Sequence, residues 1–306
     1  MKMATKHDIS VLVSSCDQYE DAWYPFFALL KKHWDCPYPI YLNTETKRYC
    51  DFGVIPLNCG AKKISWSLRL KKALKKIKSK YVILFLEDFF LLEDVDKSEI
   101  DRCLNIMEKE RRISKIEFDY SNDRAAIPSQ YDGYRIRSER GMYWLNCQTA
   151  IWRRKDLIRY LSPRENPWQF ELFGTERAKL YGKQFLFTES DRKLPFQYVV
   201  ERQTGYGIWH GKWLKSNIQL FQKNGISVPF ENLGFYEGEL KGPEPVCQPP
   251  EKSMAERWMY FLYGGGEKIR TEILEQICFF FRHPKKAGSI LKRKLKFLFT
   301  SDRNPE

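Results

Sequence analysis

The sequence lacks the spacings that usually announce a metal or redox site. Its eight cysteines, Cys16, Cys36, Cys50, Cys59, Cys103, Cys147, Cys247 and Cys278, include no Cys-x-x-Cys pair, and the chain has only four histidines. A zinc-site pattern is therefore missing. The thiols are scattered in apolar contexts rather than set out as a disulfide framework, which points to a reducing cytosol. Runs of about 18 apolar residues are missing too, so no helix is expected to span a bilayer. The first ten residues are polar and carry no apolar core of a secretory leader. Neither common glycine-rich phosphate loop is present, and no internal repeat is visible.

What is abundant is positive charge and aromatic surface. Lys and Arg number 52 against 39 Asp and Glu, a formal charge of +13 and a pI near 9.2. Such a balance calls for an anionic partner: a nucleic acid, a membrane surface or a phosphorylated substrate. With 43% hydrophobic and 15% aromatic residues in 306, the chain can bury a sizeable core. The length suits two domains, or one large α/β domain with an appendage.

The chain is organised around residues 81–92. Tyr81-Val82-Ile83-Leu84-Phe85-Leu86 is an unbroken apolar run, Glu87-Asp88 follows, and Phe89-Phe90-Leu91-Leu92 is apolar again. A run of this kind reads as a strand buried on both faces. An unpaired carboxylate inside it would cost several kcal/mol, on the order of a buried ion's desolvation. The strand therefore ends at Leu86 and delivers Glu87 and Asp88 to a crevice at its carboxyl end, where open α/β sheets bind ligands. The competing reading is that the pair only caps the following turn. Upstream, Trp66, Leu70, Ala73, Leu74 and Ile77 form one helical stripe. Lys and Arg cover the other faces, and Ser65 is the N-cap candidate.

The first strand is expected over Ile9–Ser15, a helix capped by Asp21 carries Trp23, Phe26, Phe27 and Leu30, and Pro39–Asn43 is the second strand. Phe52–Leu57 is a third. This opening implies a parallel sheet with crossover helices. Asp96–Arg112 reads as a helix, Lys115–Tyr120 as a strand, and Asn122–Arg140 as a polar loop. Met142–Trp152 reads as a further buried strand with Asn146, Gln148 and Thr149 in its middle, and Arg153–Leu161 as a helix. Residues 225–252 are rich in Pro and Gly and irregular.

Trp66-Ser-x-Arg-Leu, Ala73-Leu-Lys-Lys-Ile and Tyr81-Val-Ile-Leu-Phe-Leu-Glu-Asp-Phe-Phe-Leu resemble the nucleotide-sugar half of GT-A glycosyltransferases, of the bacterial type that builds capsule and O-antigen polysaccharides. Asn166-Pro-Trp-x-Phe-Glu171 resembles that family's second patch. The resemblance implies an α/β, Rossmann-like fold with a mostly parallel sheet. It implies a catalytic domain over 1–265, with a nucleotide-sugar half (1–120) and an acceptor half (121–265), followed by a tail (266–306). It also implies a divalent cation, Mg²⁺ or Mn²⁺, held by Asp88 with Glu87, although Leu86-Glu87-Asp88-Phe89 departs from the family's Asp-x-Asp. Ser14, Ser15, Asp17, Asn43, Trp66, Arg69 and Glu87 become donor-pocket candidates. So do His210 and Lys212 of the Gly-rich run Tyr206–Leu214, as cations for a diphosphate. Glu171 becomes the base that takes the acceptor's proton, with Glu176 the alternative; Asn146, Gln148 and Trp168 would line the acceptor side. The apolar neighbours of Glu171 (Phe170, Leu172 and Phe173) would raise its pKa toward a base's working range. The competing reading makes it a cap or an ion-pair partner of Arg164 or Arg177.

The last forty residues differ in character. Ile269, Ile273, Leu274, Ile277 and Phe281 form a helical stripe that Pro284 ends. Ile290, Leu291, Leu295 and Leu298 then lie opposite Lys292, Arg293, Lys294 and Lys296. Basic amphipathic helices of this kind lie on anionic membranes. The functional expectation is an inverting, metal-assisted transferase moving a sugar, a UDP-sugar first, to a lipid-linked glycan. It would work in the cytoplasm on the inner face of the cell membrane. The competing classes are a nucleic-acid-binding protein, against which the absence of an RNA-binding motif counts, and a sugar-nucleotide binder without activity.

Overall fold

The computed structural model describes residues 8–60, 64–121, 123, 125–139, 141–198 and 207–238; the tail expected over 266–306 and Tyr206 lie outside them. In chain order, β1 (Ile9–Ser14) leads through a 3-10 turn into α1 (Trp23–His33), β2 (Ile40–Thr44), β3 (Ile55–Asn58), α2 (Trp66–Lys76) and β4 (Tyr81–Leu86). Next come α3 (Lys97–Lys109), β5 (Ile113–Tyr120), the short β6 (Ile127–Pro128) and β7 (Tyr134–Ile136), β8 (Ala150–Arg153) and α4 (Arg154–Tyr160). A composite helix follows: α5 (Pro167–Gln169), a π-helical turn (Phe170–Gly174) and α6 (Thr175–Lys179). The described chain ends with β9 (Gln184–Thr188), the hairpin β10 (Ile208–Trp209) and β11 (Lys212–Trp213), and α7 (Ser216–Lys223).

Nine strands make one sheet in the order β3-β2-β1-β4-β8-β5-β9-β7-β6. Only β8 and β7 run against the rest, so seven of the nine point one way. The α/β, mostly parallel expectation holds. Residues alternate between two apolar layers. Val11, Val13, Ile83 and Phe85 face the layer covered by α1 and α3. Leu12, Val82 and Leu84 face the layer that holds Leu70, Ala73 and Leu74 of α2 and Leu157 of α4. β4 is buried on both faces because its whole run is apolar. The halves 1–120 and 121–265 share this sheet: β8, from the second, is inserted between β4 and β5.

Local chemistry explains the helix starts. Ser65 caps α2 by accepting Leu68 N–H at 3.2 Å, and Asp96 caps α3 by accepting Glu99 N–H at 3.1 Å. Asp21 is not a cap: α1 grows out of the preceding 3-10 turn with Ala22 at its start, and Asp21 instead accepts a 3.0 Å hydrogen bond from Asn232. The strand expected over 142–152 shrinks to β8. Tyr143 sits at φ 56°, which extended chain does not allow, and Asn146 Oδ1 takes the Gln148 N–H at 3.3 Å in a local turn.

A buried ion pair ties the composite helix to the rest. Arg177 Nη2 donates to Glu165 Oε2 at 2.5 Å and, with Nε, to Tyr160 O at 2.8 and 3.0 Å. Glu165 N–H donates to Ser67 Oγ at 3.0 Å, and Ser67 N–H to Glu165 O at 3.1 Å, so α2 is held by the same residue. Arg177 thus pairs with Glu165, not with Glu171. Glu165→Gln should cost about 3 kcal/mol, because Arg177 would keep its burial and lose its counter-charge. Urea unfolding monitored by tryptophan fluorescence measures this; an unchanged midpoint would show the pair to be dispensable.

Candidate functional site

In the order β3-β2-β1-β4 the chain winds outward from β1 in both directions, so the switch point lies between β1 and β4. Open α/β sheets bind ligands outside the carboxyl ends at such a point. The register pairs Ser14 with Leu86, which sets Ser15 and Glu87 side by side just past the two strand ends. The acidic pair therefore stands where the fold opens a crevice.

Its electrostatics are those of two anions with little compensation. Burial, the neighbouring Asp88 and the more distant Glu45 hold the Glu87 carboxyl well above its ordinary range, with Arg69 acting against them. Burial pushes Asp88 up to about 6, against the N–H groups of Ile208 and Gly207. Ile208 N–H donates to Asp88 Oδ2 at 3.2 Å and Gly207 N–H to Asp88 O at 2.9 Å. Gly207 is required there: a Cβ would stand 2.1 Å from the Phe90 ring and 3.0 Å from Asp88 O. The late Gly-rich run is thereby fastened to the acidic pair. Its hairpin turns on His210 and Gly211, both at positive φ (49° and 76°), a turn that matches the twist of the strands. A Cβ on Gly211 would lie 3.6 Å from Gln18 and 3.8 Å from Tyr19, so the tip rests on the turn after β1. His210 is exposed and stacks on Tyr236; Lys212 is exposed and donates to Leu233 O at 3.0 Å.

Around the end of β1, Arg69 is buried, ion-paired with Glu45, and donates to Ser15 O at 3.0 Å. Ser15 Oγ accepts Trp23 Nε1–H at 2.7 Å. Asp17 uses both carboxylate oxygens on the 46–47 backbone and on Thr46 Oγ1 (2.5–3.1 Å), which holds its pKa low although burial opposes this. Its observed work is to shape that loop. Ser14 Oγ and both polar atoms of the Asn43 side chain are buried and have no partner, at register-paired positions of β1 and β2. Buried groups of that kind ordinarily find one. Glu45 was not among the residues the sequence singled out; an acid shortly after a strand carries no distinguishing signal.

From the other half, the composite helix brings Glu171. Asn166 opens that helix with a capping box shared with Gln169, and Pro167 stands at its first position. Glu171 lies in the π-helical turn, a feature frequent at functional sites. Its Oε1 accepts Cys147 N–H at 2.9 Å. Burial lifts its pKa to about 7, against Cys147 and Lys115, with Glu117 adding to the rise. The Cys147 thiol is held well above its ordinary range, first by burial, then by Glu171 and, more weakly, by Glu87. Glu176 is buried and ion-paired with Lys179 at 3.2 Å.

The remaining candidates spread over the same edge. Trp66 packs on Phe170 with ring centroids 5.4 Å apart, joining α2 to the composite helix. Trp168 is 72% exposed, at the start of that helix. Gln148 is half-buried and its N–H donates to Asn146 Oδ1 at 3.3 Å. Asn146, expected to line the acceptor cavity, is buried with both ends of its amide engaged, toward Lys115 and Glu117. Asp119, which the sequence reading passed over, ends the same edge at β5; burial and Glu117 raise it to about 7.

Among the described residues no three His, Cys, Asp or Glu side chains converge to hold a metal ion. Glu87 and Asp88 alone nevertheless fit a hard cation. They offer oxygen donors and buried negative charge, and Arg69 is already engaged by Glu45 and Ser15 O. Mg²⁺ is commonly held by one or two carboxylates, with phosphates and waters completing its shell.

The raised carboxylate of Glu171 has a consequence for stability. The folded state holds that proton to about pH 7, whereas the unfolded chain releases it near 4.5. Between those values the native state binds more protons, so this group's contribution is fully present below about pH 4.5 and lost as pH rises through 7. Relative to Glu171→Gln, the wild type should lose about 3 kcal/mol over that window. Paired urea titrations at pH 4.5 and 8 measure the difference; parallel profiles would contradict a raised pKa.

No family model and no curated protein matches the chain. Among solved structures, S. aureus TarS residues 1–349 in complex with UDP-GlcNAc is similar at 14% identity, over 65% of this chain and 60% of that one, with a TM-score of 0.41. The chain thus spans about 60% of the TarS fragment's length. A cytidylyltransferase from Leptospira borgpetersenii is similar at 12% identity over 62% and 78% of the two chains (TM-score 0.38). CMP:2-keto-3-deoxy-manno-octonic acid synthetase complexed with CTP is similar at 11% identity over 71% and 97% (TM-score 0.39).

Proposed function

We propose that the protein is a glycosyltransferase that moves a sugar from a nucleoside-diphosphate donor, a UDP-sugar, to a lipid-linked glycan, as in surface polysaccharide synthesis. The observation that carries this reading is the acidic pair at the β1/β4 switch point; a second buried carboxylate, Glu171, comes from the other half of the chain and accepts Cys147 N–H. Donor and acceptor chemistry need two such carboxylate sites with different charge states.

Glu87 and Asp88 would hold the divalent cation, Mg²⁺ or Mn²⁺, which supplies Lewis-acid stabilisation of the departing diphosphate. Ser14 and Asn43 offer buried polar atoms without partners at the nucleotide end. His210 and Lys212 sit on the hairpin fastened to Asp88, and supply positive charge on the solvent side of the diphosphate. Glu171 takes the acceptor hydroxyl's proton at the carboxylate. A pKa of about 7 leaves it ionised enough to accept and basic enough to drive the transfer. Direct attack by that acceptor inverts the anomeric centre. Trp168, exposed one helical turn from Glu171, offers a ring face to a sugar.

A thermal-shift screen of UDP, CDP and GDP with and without Mn²⁺ tests the donor side, since stabilisation follows ligand concentration over dissociation constant. Asp88→Asn should abolish transfer and the Mn²⁺-dependent part of the shift. Glu171→Gln should lower kcat by roughly 10²–10⁴-fold with donor binding kept. Wild-type transfer should fall as pH drops below about 7, as the base protonates. Full activity of Asp88→Asn, or normal turnover of Glu171→Gln, would remove the corresponding role.

The membrane side of the reading rests on sequence alone. Residues 267–306 hold ten Lys or Arg against five Asp or Glu. Each basic residue near an anionic leaflet contributes about 1 kcal/mol. Removing residues 285–306 should release the protein from phosphatidylserine vesicles yet spare transfer to a water-soluble acceptor. Retained vesicle binding would move the membrane patch elsewhere, and loss of folding would make the tail part of the core.

A further inference from the structure

Beside the segment whose Cys147 N–H meets Glu171 lies a charge cluster that the reaction scheme does not use. Lys115 and Glu117, two apart on β5, project into the same layer and are fully buried. Glu117 accepts from Lys115 Nζ at 2.7 Å, from Arg137 Nη2 at 2.9 and 3.0 Å, and from Asn146 Nδ2 at 2.9 Å. Lys115 Nζ also donates to Asn146 Oδ1 at 2.6 Å and lies 5.0 Å from the centroid of the Trp152 ring. Two cations and one carboxylate make a buried excess of positive charge. As scaffolding alone this is expensive, because an apolar set of equal volume is often as stable or more so.

The cluster leads to Glu171. Asn146 Oδ1 accepts Gln148 N–H at 3.3 Å, which closes a turn over residues 146–148 and aims Cys147 N–H at Glu171. The same segment is tied to the helix backbone: Leu145 N–H donates to Thr175 Oγ1 at 3.1 Å, and that hydroxyl donates to Glu171 O at 2.5 Å. The packing leaves no slack, since a Cβ on Gly174 would stand 2.7 Å from Leu145 Cδ1.

We propose that Asn146, held by Lys115, Glu117 and Arg137, is a positioning residue that presents Cys147 N–H to Glu171 and so sets where that carboxylate points and how readily it ionises. The proposal rests on the reading of Glu171 as the base. The groups that face Glu171 are Lys115 and Glu117 from β5, and Cys147 and Tyr143 from the irregular segment before β8. Lys115 favours an ionised Glu171 and Glu117 opposes it, and the N–H of Cys147 fixes which oxygen receives it.

Carboxyl-¹³C glutamate and ¹⁵N labelling of the full chain gives a test that needs no substrate. In the wild type, the Glu171 carboxyl carbon should titrate near pH 7, and the Cys147 backbone amide and the Asn146 side-chain amide should follow the same midpoint. Asn146→Ala should raise the Glu171 midpoint, with proton affinity increased by about threefold or more, because the carboxylate loses an oriented donor. Asn146 signals that stay flat through the Glu171 titration would overturn the proposal, as would an unchanged midpoint in a folded Asn146→Ala. If that variant does not fold, the wild-type titration decides by itself. Normal transfer by Glu171→Gln alongside coupled titration would defeat the base while leaving the network. Lost transfer with flat Asn146 signals would do the reverse.

Discussion

Two carboxylates cannot both be ionised at the end of a doubly buried strand without a counter-charge, and much of the arrangement around the switch point depends on this. Leu86 is the last ladder residue of β4, and Glu87 and Asp88 follow it into a site where burial raises both. The protein supplies N–H groups from the 207–208 backbone and the partial influence of Arg69. It commits that guanidinium to Glu45 and the Ser15 carbonyl. The hairpin is drawn in by the same need, since its first residues are the donors that Asp88 has. An unmatched buried charge of this size is costly for stability and useful for holding a cation.

The part of the fold that was legible is the part buried on two faces. β4 is a continuous apolar run, and β1 is apolar but for Ser10 and Ser14. α2 and α3 carry stripes at helical spacing, and their caps, Ser65 and Asp96, are residue types with one strong local use. The segments that were misread obey tertiary contacts instead. Residues 142–149 look like strand by apolar content, yet Tyr143 adopts a left-handed backbone and Asn146 is pulled toward β5. The π-helical turn at 170–174 has no period of its own to read, and β8 joins β4 to β5 antiparallel because of where the chain returns, which no local pattern records.

The candidate site was legible to different depths. Glu87, Asp88 and Glu171 stand out because a carboxylate among aromatic and aliphatic neighbours demands an explanation. Asp17 stood out for its place after β1, and its oxygens turn out to be engaged by its own loop. Lys115 and Glu117 were missed for an instructive reason. In Ser114-Lys115-Ile116-Glu117-Phe118 charge alternates with apolar residues, the usual mark of a strand with one wet face. Here the wet face is covered by Trp144 and Trp152, and the charges are opposite and close enough to satisfy one another. A Lys and a Glu at i, i+2 give the same pattern in both situations; only the Arg at 137 and the Asn at 146, far apart in sequence, tell them apart.

The two carboxylate sites meet the same burial with different partners. At the acidic pair the neighbouring guanidinium is spent elsewhere, and burial holds both carboxyls above their ordinary range. Glu171 has one backbone donor in front and Lys115 in favour of its ionised form, while burial and Glu117 hold its pKa up at about 7. Cys147 gives its backbone N–H to Glu171, and burial, more than either carboxylate, raises its thiol. Under the proposed reading, that difference in surroundings, more than the identity of any single residue, would let one sheet edge serve donor and acceptor chemistry.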